Sequence, residues 1–278
     1  MEQDNQATVT PKAGDPDFVP YDARRLSYAG TFSDPSKVMI IRSIEWVTGK
    51  MPLLRYIRRF EKLGTPDGQP FFTQALKVMG IDVKTPADQI AKIPATGPVV
   101  VVANHPHGLV DGLVMAELIG KVRTDYKILT RSLLTGIQEI DPFMLPVPFP
   151  HEEDSHRKSI LMRNEAMAHL KSGGVIILFP AGAVATSDTW FGSVKEKPWN
   201  PLTAKMVLKS NAQVVPIYFP GRNTRLYQIA DKVSATIRQA LLLHEIVRAR
   251  NKPQSPVIGD PLSAEQCSEW KSKPGGFM

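Results

Sequence analysis

Cysteine is almost missing from this chain: Cys267 is the single one in 278 residues. An intrachain disulfide is therefore excluded, as is a thiolate metal cluster, and such usage fits a reducing compartment. Long uncharged apolar runs are missing too, so no segment is a candidate for a membrane-spanning helix. The two most apolar stretches, 98–103 and 174–185, have the length of buried strands with their following loops. The opening residues, MEQDNQATVTPKAGDPD, have neither a basic region nor an apolar core, and no secretory signal is expected there. A P-loop, a paired CxxC, an HExxH helix and a GxSxG elbow are all absent, the last arguing against a serine hydrolase of that fold. No metal site is expected either. His151 and His156 flank Glu152, Glu153 and Asp154, where the density of like charge marks a solvated loop, and His169 and His244 read as ordinary helix residues.

What remains is the composition of an ordinary globular protein, 42% hydrophobic and 22% charged, long enough for one large domain with a small appendage. The net charge of +7 is unevenly spread. Residues 1–35 are acidic, whereas residues 37–62 set Lys37, Arg42, Lys50, Arg55, Arg58, Arg59 and Lys62 against only Glu45 and Glu61. A concentrated basic region points to an anionic membrane surface or to nucleic acid. The basic residues lie on amphipathic segments rather than among stacking aromatics, so nucleic acid is not expected as a partner.

Residues 1–30, rich in Asp, Pro, Gly and Gln, read as a tail without fixed structure. Residues 31–64 read as two amphipathic helices broken by Gly49 and Pro52. In the second, Leu53, Leu54, Ile57 and Phe60 share a face, with Arg55, Arg58, Arg59 and Lys62 behind them. That pattern suits a helix lying in a membrane interface, and a surface helix packed on the domain would carry the same pattern. From residue 78 onward strands and helices alternate. Strands are expected at 99–103, 126–129, 143–147, 175–179, 214–219 and 256–258, and helices at 109–122, 132–137, 156–172, 201–210 and 233–248. The fold class is α/β, a mostly parallel central sheet flanked by helices, with the amphipathic helix pair in front. No repeat or heptad pattern is present.

Three segments carry candidate chemistry. Val99–Gly112 reads VVVVANHPHGLVDG: a β-branched run, then Asn104, His105, His107 and Asp111 just past the strand end. Residues there project into the crevice where open α/β sheets bind ligands. An imidazole held by a carboxylate suits removal of a proton from a hydroxyl. Spacing alone leaves two pairings open, His105 with Asp111 or the i,i+4 pair His107 with Asp111, and an Asp capping its own helix is the plainer alternative. The second segment, VIILFPAGAVA, ends a strand at Phe179-Pro180, and Gly182 allows close backbone approach, with loop N–H groups able to hold an oxyanion. The third, VVPIYFPGRN, puts Arg222 and Asn223 beyond a strand end, where an arginine can hold a phosphate or carboxylate or simply face water.

NHPHGLVDG, FPAG and VVPIYFPGRN, in that order, resemble the glycerophospholipid acyltransferase superfamily with its Asn-His…Asp motif, and within it the hemolysin-like bacterial branch of lysophospholipid and lyso-ornithine-lipid acyltransferases. The similarity covers residues 75–260. It implies transfer of a fatty acyl group from an acyl carrier protein or coenzyme A thioester to a lipid hydroxyl, with no further cofactor. His105 would then be the general base and Asp111 its partner. Asn104, His107, Gly182, Arg222 and Asn223 would contact substrate, the Gly182 loop serving the head group or the oxyanion. Five residues lie between His105 and Asp111, one more than is usual in the family, and the Pro106–Gly108 turn absorbs the extra residue. Ala181 and Ala183 stand where relatives carry a glutamate, implying an acceptor other than lysophosphatidate. The implied organisation is a tail (1–30), membrane-docking helices (31–64), an acyltransferase domain (65–265) and a C-terminal tail (266–278), held peripherally on the cytoplasmic face of the inner membrane. A non-catalytic lipid- or acyl-carrier-binding protein with the same fold is the competing reading, and thioester hydrolysis by the same base is another.

Overall fold

A computed structural model describes residues 20–21, 26–31, 34–130, 136–148 and 154–269. The expected tail over most of 1–30, the start of the helix expected at 132–137, His151 with its acidic neighbours Glu152 and Glu153, and residues 270–278 lie outside the described residues.

Helix α1 (Pro35–Glu45) is capped by Asp34, whose carboxylate accepts the Ser36 N–H at 2.9 Å. It runs through a π turn (Trp46–Lys50) into α2 (Met51–Lys62) without leaving helical dihedrals. The break expected at Gly49 and Pro52 is therefore absent, for two reasons. The α-helical donor to the Thr48 carbonyl would be the Pro52 nitrogen, which carries no hydrogen; His244 Nδ1 donates to that carbonyl instead, at 3.2 Å. Gly49 lets the rod cross backbone closely, since a Cβ there would lie 2.7 Å from the Leu243 carbonyl carbon.

After α3 (Gln69–Met79) and a single turn α4 (Ala87–Ile90), the chain enters strand β1 (Val99–Ala103). Then follow α5 (Leu109–Gly120), β2 (Tyr126–Thr130), β3 (Met144–Pro146), α6 (Ser155–Lys171) and β4 (Val175–Leu178). A hairpin of β5 (Thr186–Ser187) and β6 (Val194–Lys195) precedes α7 (Leu202–Ser210) and β7 (Gln213–Tyr218). Three helices, α8 (Arg225–Val233), α9 (Ala235–Ala240) and α10 (Leu242–Arg248), lead to β8 (Val257–Ile258) and α11 (Ala264–Ser268). The α/β alternation is as expected. The single helix expected at 233–248 is resolved into α9 and α10, while α3, α8 and the hairpin were not anticipated. Helix α11 buries Cys267, so the folded unit continues past the boundary expected at 265.

The sheet has the order β3-β2-β4-β1-β7-β8, parallel except for the edge strand β8. Central strand β1 is buried at all five positions because helices cover both faces. Val99 and Val101 join the core on the side of α3 and α5, and Val100 and Val102 the core on the side of α6 and α7. The carboxyl ends of β1, β2, β3 and β4 consequently border one cavity, at His105, Thr130, Val147 and Phe179.

Helix α2 answers the question left by its pattern. Leu53 is only 8% exposed, and Leu54, Ile57 and Phe60 pack on the same core, Phe60 lying 4.9 Å from the Phe71 ring. Its apolar stripe belongs to the domain and not to a membrane, which corrects the interfacial reading of these four residues. Within the rod, the exposed apolar side chains are Met39, Ile40, Trp46 and Val47, with Met51 at the very start of α2.

Candidate active site

Asn104 closes β1. Its Nδ2 donates to the Phe219 carbonyl at 2.8 Å and its Oδ1 accepts the Phe219 N–H at 2.7 Å, prolonging the β1–β7 pairing with a side chain. Both ends of the amide bind backbone, so Asn104, expected among the substrate contacts, also holds the segment from which His105 departs.

Gly108, at φ +78°, turns the chain into α5. Asp111 points back over that turn. Its Oδ2 accepts the N–H groups of His107 (2.8 Å) and Gly108 (3.1 Å) and the Nδ1–H of His105 (3.1 Å), and its Oδ1 accepts the Nδ1–H of His107 (2.9 Å). One fully buried carboxylate thus caps its helix and holds two imidazoles. Burial pushes the Asp111 carboxyl up, but the hydrogen bonds from His105 and His107 outweigh it and hold the group below the ordinary carboxylate range. An ionised carboxylate only accepts, so each neutral imidazole gives it Nδ1–H and keeps Nε2 as an acceptor.

Surroundings separate the two histidines. His105 stacks on Phe179, centroids 4.0 Å apart, and borders a cavity of about 360 Å³, a size usual for small-ligand sites. His107 is not among the described residues lining that cavity. It lies against Gly221, where a Cβ would come within 2.7 Å of its Nε2.

Gly182, left-handed at φ +63°, lines the cavity too, but its N–H donates to the Phe179 carbonyl at 2.9 Å. The neighbouring N–H groups of Ala183 and Val184 draw no hydrogen bond among the described residues, and both residues line the cavity. Two successive backbone donors beside an imidazole can receive charge developing on a carbonyl oxygen. The Gly182 loop therefore offers its donors one and two residues later than the glycine itself.

Two of the expected contacts stand elsewhere. Arg222 is exposed and does not appear among the described cavity-lining residues, because Gly221, at φ +106°, turns the chain outward first. Asn223 is buried, also outside the lining, with Nδ2 unpartnered among the described residues. Arg131, a weaker candidate for a head-group contact, lies outside the described residues.

Sequence reasoning missed two charged groups. Glu196, just past β6, accepts the His105 N–H at 3.2 Å; burial pushes its carboxyl up, and its Oε1 has no partner among the described residues. A carboxylate does reach the histidine, from the hairpin rather than from positions 181 or 183. The other is Arg238, which lines the cavity from α9. A motif search could not find either, since only the fold brings them to residue 105.

Comparison with known proteins gives four matches. A protein-family model described as an acyltransferase matches residues 54–249. A lyso-glycine lipid O-acyltransferase of Phocaeicola vulgatus is 26% identical over 199 residues, 69% of each chain. The protein of the same name from Bacteroides thetaiotaomicron is 25% identical over 199 residues, 69% of this chain and 71% of its own. Among solved structures, the 1-acyl-sn-glycerophosphate (LPA) acyltransferase of Thermotoga maritima aligns at a TM-score of 0.46 and 16% identity, covering 91% of this chain and 86% of its own.

Proposed function

The chain belongs to the acyltransferase family, and from that premise we propose that it carries a fatty acyl group from a thioester to the hydroxyl of a lyso-lipid. The observation that supports this most is a histidine fixed by a buried carboxylate, its ring on a cavity wall beside two unspent backbone N–H groups. In this reading His105 Nε2 takes the proton of the acceptor hydroxyl as its oxygen attacks the thioester carbonyl. Asp111 holds the imidazolium that forms, and the N–H groups of Ala183 and Val184 face the oxyanion. Collapse breaks the carbon–sulfur bond, and the thiolate leaves with the proton that His105 returns. The donor is an acyl carrier protein or coenzyme A thioester. The acceptor is a lyso-lipid with an amino-acid head group, which accords with the names of the two curated relatives and with alanine at 181 and 183.

The test is acyl transfer by purified variants, with one thioester donor and a panel of lyso-acceptors. His105→Ala should lose on the order of 10²–10⁴ in rate, while His107→Ala keeps substantial activity. Equal losses, or a larger one at His107, would assign the base to the other imidazole. Lysophosphatidate preferred about tenfold, roughly 1.4 kcal/mol of transition-state preference, would refute the acceptor.

The same reading places the protein on the cytoplasmic face of the inner membrane as a peripheral enzyme. No helix among the described residues is long and apolar enough to cross a membrane. Support comes from the outward face of α1 and the π turn, where Met39 (67% exposed), Trp46 (62%) and Val47 (78%) stand near Lys37 and Arg42.

A further inference from the structure

The cavity changes character along its length. At the β2–β3 end its wall is mostly apolar, built from Ile128, Leu129, Val147, Met162, Leu178 and Leu202, with Thr130, Asn200 and Thr203 as the polar members. Beyond His105 the wall passes to Tyr227 of α8, Arg238 and Gln239 of α9, and Leu242 of α10. Sheet order imposes this polarity, because β2 and β3 lie on one side of β1 while α8–α10 follow β7 on the other.

The polar end holds a pair of cations. Arg238 donates one N–H to Asp231 Oδ1 at 2.7 Å, and Lys232 Nζ stands 3.1 Å from Asp231 Oδ2. Two cations share the Asp231 carboxylate, and Glu245 is the other carboxylate acting on Tyr227 at this end. Asp231 is the only hydrogen-bond partner of the Arg238 side chain among the described residues, and that side chain is 21% exposed. The rest of a planar fork suited to bidentate binding is unspent where it borders the cavity.

We propose that this end is the subsite for the acceptor's acidic head group, a carboxylate paired with Arg238, while an acyl chain lies along the apolar end. The assignment rests on the lyso-lipid acyltransferase reading and names the group that selects the acceptor. A single guanidinium with donors to spare matches a carboxylate better than a phosphate monoester, which carries about −1.5 to −2 at pH 7. It moves head-group recognition from Arg222 to Arg238.

A matched acceptor pair tests it: a hydroxylated long-chain N-acyl glycine and its methyl ester, identical except for the carboxylate. The wild type should favour the free acid by about tenfold in kcat/KM. Arg238→Gln should erase that preference by raising KM for the acid, leaving KM for the ester and the thioester donor within about twofold. Arg238→Lys should restore it only in part, since a point charge lacks the fork. Asp231→Asn, which frees the guanidinium, should lower KM for the acid severalfold; this variant decides the matter if the arginine variants unfold, and an unchanged KM would then count against the subsite. An equal loss for acid and ester, a rise confined to the donor KM, or a loss of acid preference at Arg222→Gln in place of Arg238→Gln would each overturn the proposal. Failure of the wild type to acylate either compound would instead refute the acyltransfer reading itself.

Discussion

The two halves of the N-terminal rod are both amphipathic, and they use that property in opposite ways. In α2 the apolar side chains face inward: Leu53, Leu54, Ile57 and Phe60 join the domain core, while Arg55, Arg58 and Arg59 stand in water. In α1 and the π turn the inward face is narrow, Val38, Ile41 and Ile44 against α9, and the outward face carries Met39, Ile40, Trp46 and Val47. The more regular stripe is the one the fold has already covered. Periodicity reports that a face exists, whereas the identity of what covers it is settled by tertiary packing.

The contrast is sharpest in stability. Leu53→Ala should cost about 2–5 kcal/mol in denaturant unfolding, whereas Trp46→Ser or Val47→Ser should stay within about 0.5 kcal/mol. A large loss at Trp46 would mean that its face is covered in the folded protein. At the junction, Gly49→Ala forces a Cβ to within 2.7–2.8 Å of the backbone of Leu243 and His244, and should cost about 1–3 kcal/mol. A neutral result would show that the rod can lift from α10 freely.

Vesicle sedimentation reads the outward face. Replacing Met39, Trp46 and Val47 together by Ser should weaken binding to anionic vesicles even at high salt, because burying each such side chain contributes up to roughly 1.5–3 kcal/mol. Arg42→Gln should remove about 1 kcal/mol, and only at low salt. Binding unchanged by the triple replacement would place the membrane surface elsewhere. The smallest effect concerns Glu45, buried where the halves meet and accepting from Ser27 Oγ at 2.6 Å and the Tyr28 N–H at 2.7 Å. Burial pushes its carboxyl above the ordinary value in spite of those bonds. A carboxyl raised on folding contributes stability that is full below about pH 4 and is lost as pH rises through the raised value. Glu45→Gln should therefore gain on the wild type as pH rises from about 4 to 7 in parallel unfolding titrations, and a constant offset would show that burial is not the governing cause.

What was readable in the sequence is what local chemistry determines. Val99–Val102 had to be a strand buried on both faces, and Asn104 to Asp111 had to stand at its end. The choice between His105 and His107 was not local, since it turns on Phe179 and on which imidazole meets the cavity. Glu196 and Arg238 arrive from about ninety and one hundred and thirty residues further on, so no spacing near residue 105 announces them. Helix α8 escaped notice because Leu226 and Val233 are exposed and its apolar stripe is short. The reading of Arg222 failed at Gly221, where a single left-handed residue redirects the chain.

The His244–Thr48 bond has a consequence for how the molecule opens. The rod supplies an acceptor that has no α-helical donor because of Pro52, and α10 supplies one from His244, so departure of α10 leaves a polar group bare. In hydrogen-exchange terms the residues around Leu53 and those of α10 are expected to open as one cooperative unit, with amides that share an opening free energy. Leu242, on the cavity wall, stands two residues before His244 on that same helix. A displacement of the rod should therefore be felt at the cavity wall.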